Sequence, residues 1–417
     1  MPLLTSLFER YQTNPPKVDP ATSPHPDYPL EYGYQTQSGE RVGVTASMSV
    51  ATFYRGLNII SDDVASMPFQ QFVIEGGKIN KVDPNPITRN MAYLLQVSPN
   101  AWGWTPFQFK KAILQWKICY GNAYVWRPPV SPPQLFILPA NRTTPMYDLQ
   151  GNLWYQHRFS NGGTAYIPSV EIFHQLINPD ETGIMGRGVI TFARETLGQQ
   201  IGSRKTKSKL YSQGLTAAAY IQMDAALDKQ GRDDIRREYA QSMSGSDNAY
   251  SLAVLDKKVT KFETINIAPK DAQFLESIEA NDLDICNFLG LPAHFFNRGK
   301  ESYNSNEQKY IEYLQGTLNA HLVPFEEGAR IKWLSERDQL TNYFKFNRTS
   351  LLRMDAKTRA ETNSIKIQSG QLSPAEAREF DEMNGGSTDF WMMSNVQSIT
   401  KGKLSDANET PQTTTNE

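Results

Sequence analysis

The sequence predicts an α+β fold, in two to three domains or as one large discontinuous fold. Three observations carry that reading. Apolar residues recur at helical spacing in several stretches, most clearly 50–67, 189–212 and 270–289. Between 122 and 173 the pattern changes to short strands separated by Pro and Gly-Gly breaks. The chain has 417 residues, more than the roughly 100–200 of a usual single domain.

In chain order, residues 11–45 come first, rich in Pro, Thr, Ser and Gly, with Pro15, Pro16, Pro20, Pro24, Pro26 and Pro29. They read as an extended arm with little core of its own. A helix begins near Ser49. Val50, Phe53, Tyr54, Leu57, Ile60, Val64 and Met67 fall on one side of it, and Pro68 ends it. A strand over 69–74 turns at Gly76-Gly77. A short helix is expected over 87–96, a stop at Ser98-Pro99-Asn100, and a further helix over 105–120. Strands are expected near 123–126, 135–138, 154–159 and 164–167.

A long helix over 189–212 would reach roughly 35 Å at about 1.5 Å per residue. A compact unit follows: strand 217–223, helix 228–243, strands 251–255 and 261–267. A second long helix spans 270–289. A small βαββ module between two long helices is the shape of something projecting on two stalks. Residues 292–304 read as a loop. A third long helix, 305–335, contains Pro324, which should kink it. A strand at 343–346 and helices at 356–368 and 374–383 follow. Ser373, Pro374 and Glu376 supply the N-cap and first turn of the last helix. Residues 401–417 read as a disordered tail.

Composition narrows the function. Hydrophobic residues make up 39% and aromatic ones 11%, enough for a real core. The net charge is −2. A protein that grips nucleic acid is usually basic, because neutralised phosphates supply most non-specific affinity. This balance argues against a tight DNA binder. It does not argue against a passage through which DNA slides. Cys119 and Cys286 are too few for a disulfide framework or a zinc site and read as buried free thiols in a reducing cytosol. No run is apolar enough to span a membrane, and the first ten residues lack the basic start of a signal peptide. A protein that is cytoplasmic where it is made, without membrane attachment, is the expectation.

The search for chemistry finds little. Gly183, Gly186 and Gly188 precede a helix without the spacing of a dinucleotide fingerprint, and read as a turn and helix start. His25, His157, His174, His294 and His321 form no metal-ligand pattern. His174, in an apolar strand, reads as a satisfied core histidine. Asp180-Glu181, Asp233-Asp234 and Glu326-Glu327 are adjacent pairs, which diverge on a helix and read as solvated surface. Glu276, Glu279, Asp282 and Asp284 read as a solvated face, or as an acidic lining that repels phosphate. Arg204, Lys205, Lys207 and Lys209 cluster near the end of the helix over 189–212. That cluster suits the helix C-terminal dipole, or a ring of charge facing DNA or a partner. Gly198 and Gly202 each cost roughly 1 kcal/mol of helix propensity. Simple tolerance is the plain reading, and close approach of a neighbouring helix is the other. No catalytic residue, metal site or cofactor is expected.

Taken in order, several segments resemble the phage portal protein family of long-tailed phages. They are the helix ending at Pro68, Leu94-Leu95 with Ser98-Pro99-Asn100, Gly121-Asn122-Ala123-Tyr124, and Leu135 with Leu138-Pro139. Val170–His174 with the glycine turn follows. Then come Gln273-Leu275-Glu276, Ile285-Phe288-Gly290-Leu291-Pro292, Ser302–Gln308, and Thr317-Leu318 with Pro324. The resemblance covers about 48–388. Ala375 stands where the family's Asn-Glu-x-Arg element has Asn, no residue separates Leu138 from Pro139, and the loop 293–304 is individual.

The resemblance implies a ring, usually of twelve subunits, at one capsid vertex, through which double-stranded DNA is packaged and ejected. It implies these parts: an arm 1–45, a wing 46–187 and 338–355, a stem 188–213 and 269–292, and a clip 214–268. A tunnel loop and kinked helix would occupy 293–337, a crown 356–400 and a tail 401–417. Implied partners are the large terminase subunit, major capsid and scaffold proteins, and a head-completion or adaptor protein. DNA-channel candidates are Asn297, Arg298, Lys300 and Asn304 in the tunnel loop, with Arg204, Lys205, Lys207 and Lys209 on the stem. Two alternatives stand beside this. One is another virion connector or head-tail adaptor ring without terminase docking, or a cellular scaffold, separable by a terminase pull-down. The other is a hydrolase using the scattered carboxylates, separable by Ala substitution of those acids.

Overall fold

A computed structural model describes residues 33–160, 162–212, 219–223, 230, 233–234, 259–264, 271–296, 311–351, 356–380, 385, 388–392 and 397–399. The chain divides into two compact units, Met1–Asn347 and Arg348–Glu417.

The first unit opens with a hairpin of β1 (Tyr34–Gln35) and β2 (Arg41–Val42), then α1 (Val44–Met48) and α2 (Ala51–Ser66). Residues 33–45 of the expected arm are therefore folded into this hairpin and helix, and residues 11–32 lie outside the described residues. Val42 is fully buried and Thr36 nearly so. Phe53, Leu57, Ile60 and Val64 form the buried stripe of α2. Each such side chain contributes roughly 1.5–3 kcal/mol by leaving water.

Strands β3 (Phe69–Glu75) and β4 (Lys78–Lys81) turn at Gly76-Gly77, both with positive φ. Helix α3 is Met91–Gln96. It starts four residues later than the sequence suggests. Asn85 Oδ1 accepts from the backbone of Ile87 and Thr88, holding that stretch as a turn, and Asn90 caps the helix instead. Helix α4 (Pro106–Tyr120) has a full capping box, Thr105 with Gln108, and ends on Gly121 at φ +82°.

Strands β5 (Asn122–Trp126), β6 (Phe136–Leu138), β7 (Thr143–Tyr147), β8 (Leu153–Arg158), β9 (Thr164–Pro168) and β10 (Ile172–Leu176) follow. They make two antiparallel sheets, ordered β10-β5-β6 and β7-β8-β9. Tyr124, Trp126, Phe136, Tyr155, Ile167 and Ile172 build a shared core. Strand β7 is not visible in the sequence pattern because Pro145 interrupts it. Its position as the first strand of its sheet tolerates a residue without an N–H.

Helix α5 (Val189–Ser212) and helix α6 (Asp271–Leu289) pack together. Between them, β11 (Ala219–Met223) and β12 (Val259–Thr264) pair antiparallel. The expected helix 228–243 (apart from isolated positions) and strand 251–255 lie outside the described residues. A π-helical turn, Leu314–Leu318, leads into α7 (Asn319–Trp333), which contains Pro324. Strand β13 (Asn342–Phe346) returns to pair with β3. Phe69, Phe325, Phe344 and Phe346 stack where this sheet meets α7, with ring centroids 4.3–5.7 Å apart.

The second unit holds α8 (Ala356–Gln368), α9 (Pro374–Phe380) and a hairpin of β14 (Phe390–Met392) and β15 (Gln397–Ile399). Ser373 and Glu376 form a reciprocal cap on α9, as the sequence predicts. The hairpin is not anticipated by the sequence reading, which ends the ordered chain with two helices.

Candidate DNA-channel elements and the joints that hold them

The glycine turn before α5 is a joint of backbones. Gly121 and Gly186 pack so closely that a Cβ on Gly186 would meet the carbonyls of Gly121 and Ile177. A Cβ on Gly188 would meet the carbonyl of Cys119. Asn122 bridges the contact. Its Oδ1 accepts from the Gly186 N–H at 2.8 Å, and its Nδ2 donates to the Gly186 carbonyl at 2.9 Å. The same Oδ1 accepts from His174 Nε2 at 3.0 Å, so His174 Nδ1 accepts from the Tyr155 hydroxyl at 3.2 Å. Burial, then the Lys332 ammonium, pushes the imidazole down to about 3, and it stays neutral. His174 is a structural histidine, as its apolar strand suggests. The Gly-Asn-Ala-Tyr element gains its meaning here: a left-handed helix end, a polar bridge, then two fully buried strand residues.

A buried carboxylate joins the two long helices. Asp282 on α6 is buried and accepts from Thr52 Oγ1 on α2 at 2.5 Å and from Gln200 Nε2 on α5 at 3.2 Å. The acidic residues of α6 therefore divide. Asp282 is a structural acceptor between three helices, whereas Asp284 is exposed. Gly56 lets α2 approach the end of α6. A Cβ there would lie 2.5 Å from Leu289 Cδ1 and 3.0 Å from Leu291 Cδ1.

Gly198 also has a local reason. A Cβ would lie 2.7 Å from Thr36 Oγ1, because the β1–β2 hairpin rests on α5 at that point. The Gln37 N–H donates to Glu195 at 3.0 Å, and Arg194 lies over the Tyr34 ring at 5.2 Å. The close approach is made by the chain's own hairpin, not by a neighbouring helix. No period-based reading finds this, since two-residue strands carry no pattern.

Among the sequence-predicted channel residues, Arg204 and Lys205 are exposed and tied to the same chain. Arg204 donates to the Ser49 carbonyl at 2.6 Å, and Lys205 pairs with Glu40. Lys207 and Lys209 lie on the same helix. Asn297, Arg298, Lys300 and Asn304 lie outside the described residues. The flanks of that loop are fixed. Tyr313 donates to Asp63 at 3.0 Å, Thr317 donates to the Gly290 carbonyl, and Arg55 lies 5.9 Å from the Phe296 ring. Burial raises Asp63 to about 6 against the Tyr313 hydrogen bond. A cleft of about 630 Å³ opens here between Tyr54, Arg55, Asp62, Lys111 and Phe295.

Other acids serve the fold as well. Glu326 accepts from the Phe346 N–H at 2.9 Å, and Asp180 caps its own turn through Thr182. Among the described residues, no three His, Cys, Asp or Glu side chains gather as a metal site, and no helix is long and apolar enough to cross a membrane.

These joints define a structural class of protein, in which buried polar groups connect long helices to small sheets. The family model for phage portal proteins matches residues 51–382, and the chain belongs to that family. A probable portal protein of Streptomyces phage phiC31 is 22% identical over 372 residues, covering 84% of this chain and 78% of the relative. The crystal structure of an HK97-family phage portal protein from Corynebacterium diphtheriae superposes with a TM-score of 0.55 at 16% identity. It covers 78% of this chain and 99% of the other. A chain in the neck of a native gene transfer agent particle, solved with twelvefold symmetry, gives 0.53 at 16% identity, covering 82% and 92%.

Proposed function

We propose that this chain forms the portal ring of a tailed phage capsid and conducts double-stranded DNA during packaging and ejection. The carrying observation is the family match from 51 to 382, which runs through both long helices and the Pro324 helix. The gene transfer agent neck favours twelve copies. In this reading the wing is 46–187 and 338–355, the stem 188–213 and 269–292, and the clip 214–268. The tunnel loop and kinked helix are 293–337, and the crown is 356–400. The clip docks the large terminase subunit, then a head-completion or adaptor protein, while the wing meets major capsid and scaffold proteins. The ring assembles in the host cytoplasm and resides in the virion. No catalytic group is required of this chain, since the terminase hydrolyses the ATP.

DNA passes Arg204, Lys205, Lys207 and Lys209 and the loop residues Asn297, Arg298, Lys300 and Asn304. Lys205, Lys207 and Lys209 changed together to Glu should leave rings intact and impair packaging or DNA retention in a complementation assay. Normal packaging would remove the stem cluster from the channel. A pull-down against the large terminase subunit separates a portal from an adaptor ring; no retention under packaging conditions would favour the adaptor.

A further inference from the structure

Helix α7 is held at both ends by different partners. Before it, Thr317 and Tyr313 tie the chain to Gly290 and Asp63. At its C-terminal end, Lys332 donates to the Ser169 carbonyl at 2.8 Å and Arg127 donates to the Trp333 carbonyl at 3.3 Å. Between these anchors lies Pro324, which supplies no N–H to the turn before it, the condition under which a helix is expected to bend.

One side chain from outside the helix meets the proline turn. Gln175 on β10 is buried, at 4% exposure, and its Nε2 donates to the Pro324 carbonyl at 3.1 Å. Its Oε1 faces the Lys117 ammonium of α4 at 3.4 Å. Lys117 is 2% exposed and has no carboxylate paired with it among the described residues. One turn beyond the proline, Gly328 leaves room for the contact. A Cβ there would lie 2.9 Å from Gln175 Nε2 and 2.8 Å from the Phe173 ring. His321, Pro324 and Gly328 share one face of α7 at i, i+3 and i+7 spacing. His321 Nδ1 is buried there without a hydrogen-bond partner among the described residues.

A buried ammonium and a buried amide are costly to place in an aromatic core. Apolar residues of similar volume would fill the same space without that cost. The polar pair instead fixes a direction, because an amide that donates to one carbonyl and accepts from one ammonium has no second orientation.

We propose that Gln175, oriented by Lys117, is the positioning residue for the bend of α7, the pivot about which the segment leading from the tunnel loop is set relative to β10. Its consequence for DNA passage rests on the portal reading; the pivot itself does not. Lys117 is pushed down to about 8 by burial, consistent with an ammonium held for geometry rather than for an ion pair.

The test is a spin-label distance across the bend, with labels on Glu312→Cys and Ile331→Cys, both exposed positions. Cys119 and Cys286 are buried, and labelled chain is diluted into unlabelled chain so that only intrachain distances are read. The parent should give one maximum. Gln175→Met, which keeps volume and removes both hydrogen bonds, should shift or split it. The parent's single maximum in a folded Gln175→Met chain would overturn the proposal. Should Gln175→Met not fold, Gly328→Ala decides, since it keeps Gln175 and forces the helix away: a shifted maximum supports the pivot and an unchanged one overturns it. Failure of the parent to form rings would sink the portal reading and leave this distance measurement decisive.

Discussion

The glycine joint at Asn122 and the carboxylate joint at Asp282 solve the same problem in opposite ways. At Gly121, Gly186 and Gly188, backbones touch backbones; a single asparagine pairs both polar groups of Gly186, and the Gly121 carbonyl accepts from the Ile177 N–H. Nothing there can shift by half an ångström without a collision. At Asp282, three helices meet through side chains, with Leu289 and Leu291 packed against Gly56 nearby. Such a joint allows small shear of packed helices. The start of α5 is therefore held by backbone contact, whereas its packing with α6 and α2 runs through side chains.

The largest expected effect breaks the rigid joint. Gly186→Ala should cost more than about 3 kcal/mol, at or beyond the upper end of overpacking penalties, because the obstacles are carbonyls rather than side chains. Urea denaturation measures it, and a loss under about 1 kcal/mol would refute a backbone-tight joint. Asp282→Leu should be milder. It removes the acceptor of the Thr52 hydroxyl and of one Gln200 amide hydrogen bond and should cost roughly 1–3 kcal/mol. Asp282→Asn, which keeps an acceptor, should recover much of that loss in the same assay.

Acid should separate the regions next. His174 and His321 are held neutral, down to about 3, and His157 to about 4, against an ordinary 6.5. Between those values the unfolded chain binds more protons. Stability is therefore full above 6.5 and falls as pH drops towards 3, by up to roughly 1.4 kcal/mol per unit for each histidine. Asp63 acts in the other direction: its pKa is raised to about 6 from 3.8, so its contribution is full below 3.8 and lost as pH rises through 6. Stability measured from pH 4 to 7 should rise overall, since three histidines outweigh one carboxyl. Substituting His157 by Gln should flatten that rise. The smallest effect belongs to Lys205→Ala at the Glu40 pair, about 0–1 kcal/mol, because the lysine side chain is 61% exposed.

Much of the fold is legible where period and punctuation agree. Helix α2, the capping box of α4, the glycine end at Gly121 and the cap at Ser373 all follow from local chemistry. Strand β7 is hidden by Pro145, and the β1–β2 hairpin by its brevity inside a Pro-rich stretch. The candidate site is legible only in part. His174 reads correctly as a core residue, because its neighbours are apolar. Asp282 looks like its exposed neighbour Asp284, since the partners that bury it, Thr52 and Gln200, lie 230 and 82 residues away. The role of Gln175 has no signal at all: an isolated glutamine in a strand announces nothing until Pro324 is seen above it.

The central claim is a ring with a passage for DNA. Cryo-electron microscopy of the purified full-length chain tests it most directly. The account predicts annular particles with a central channel, in which the helices α5 and α6 of successive copies surround the axis. Monomers or dimers at every concentration, with no annular particle, would contradict it.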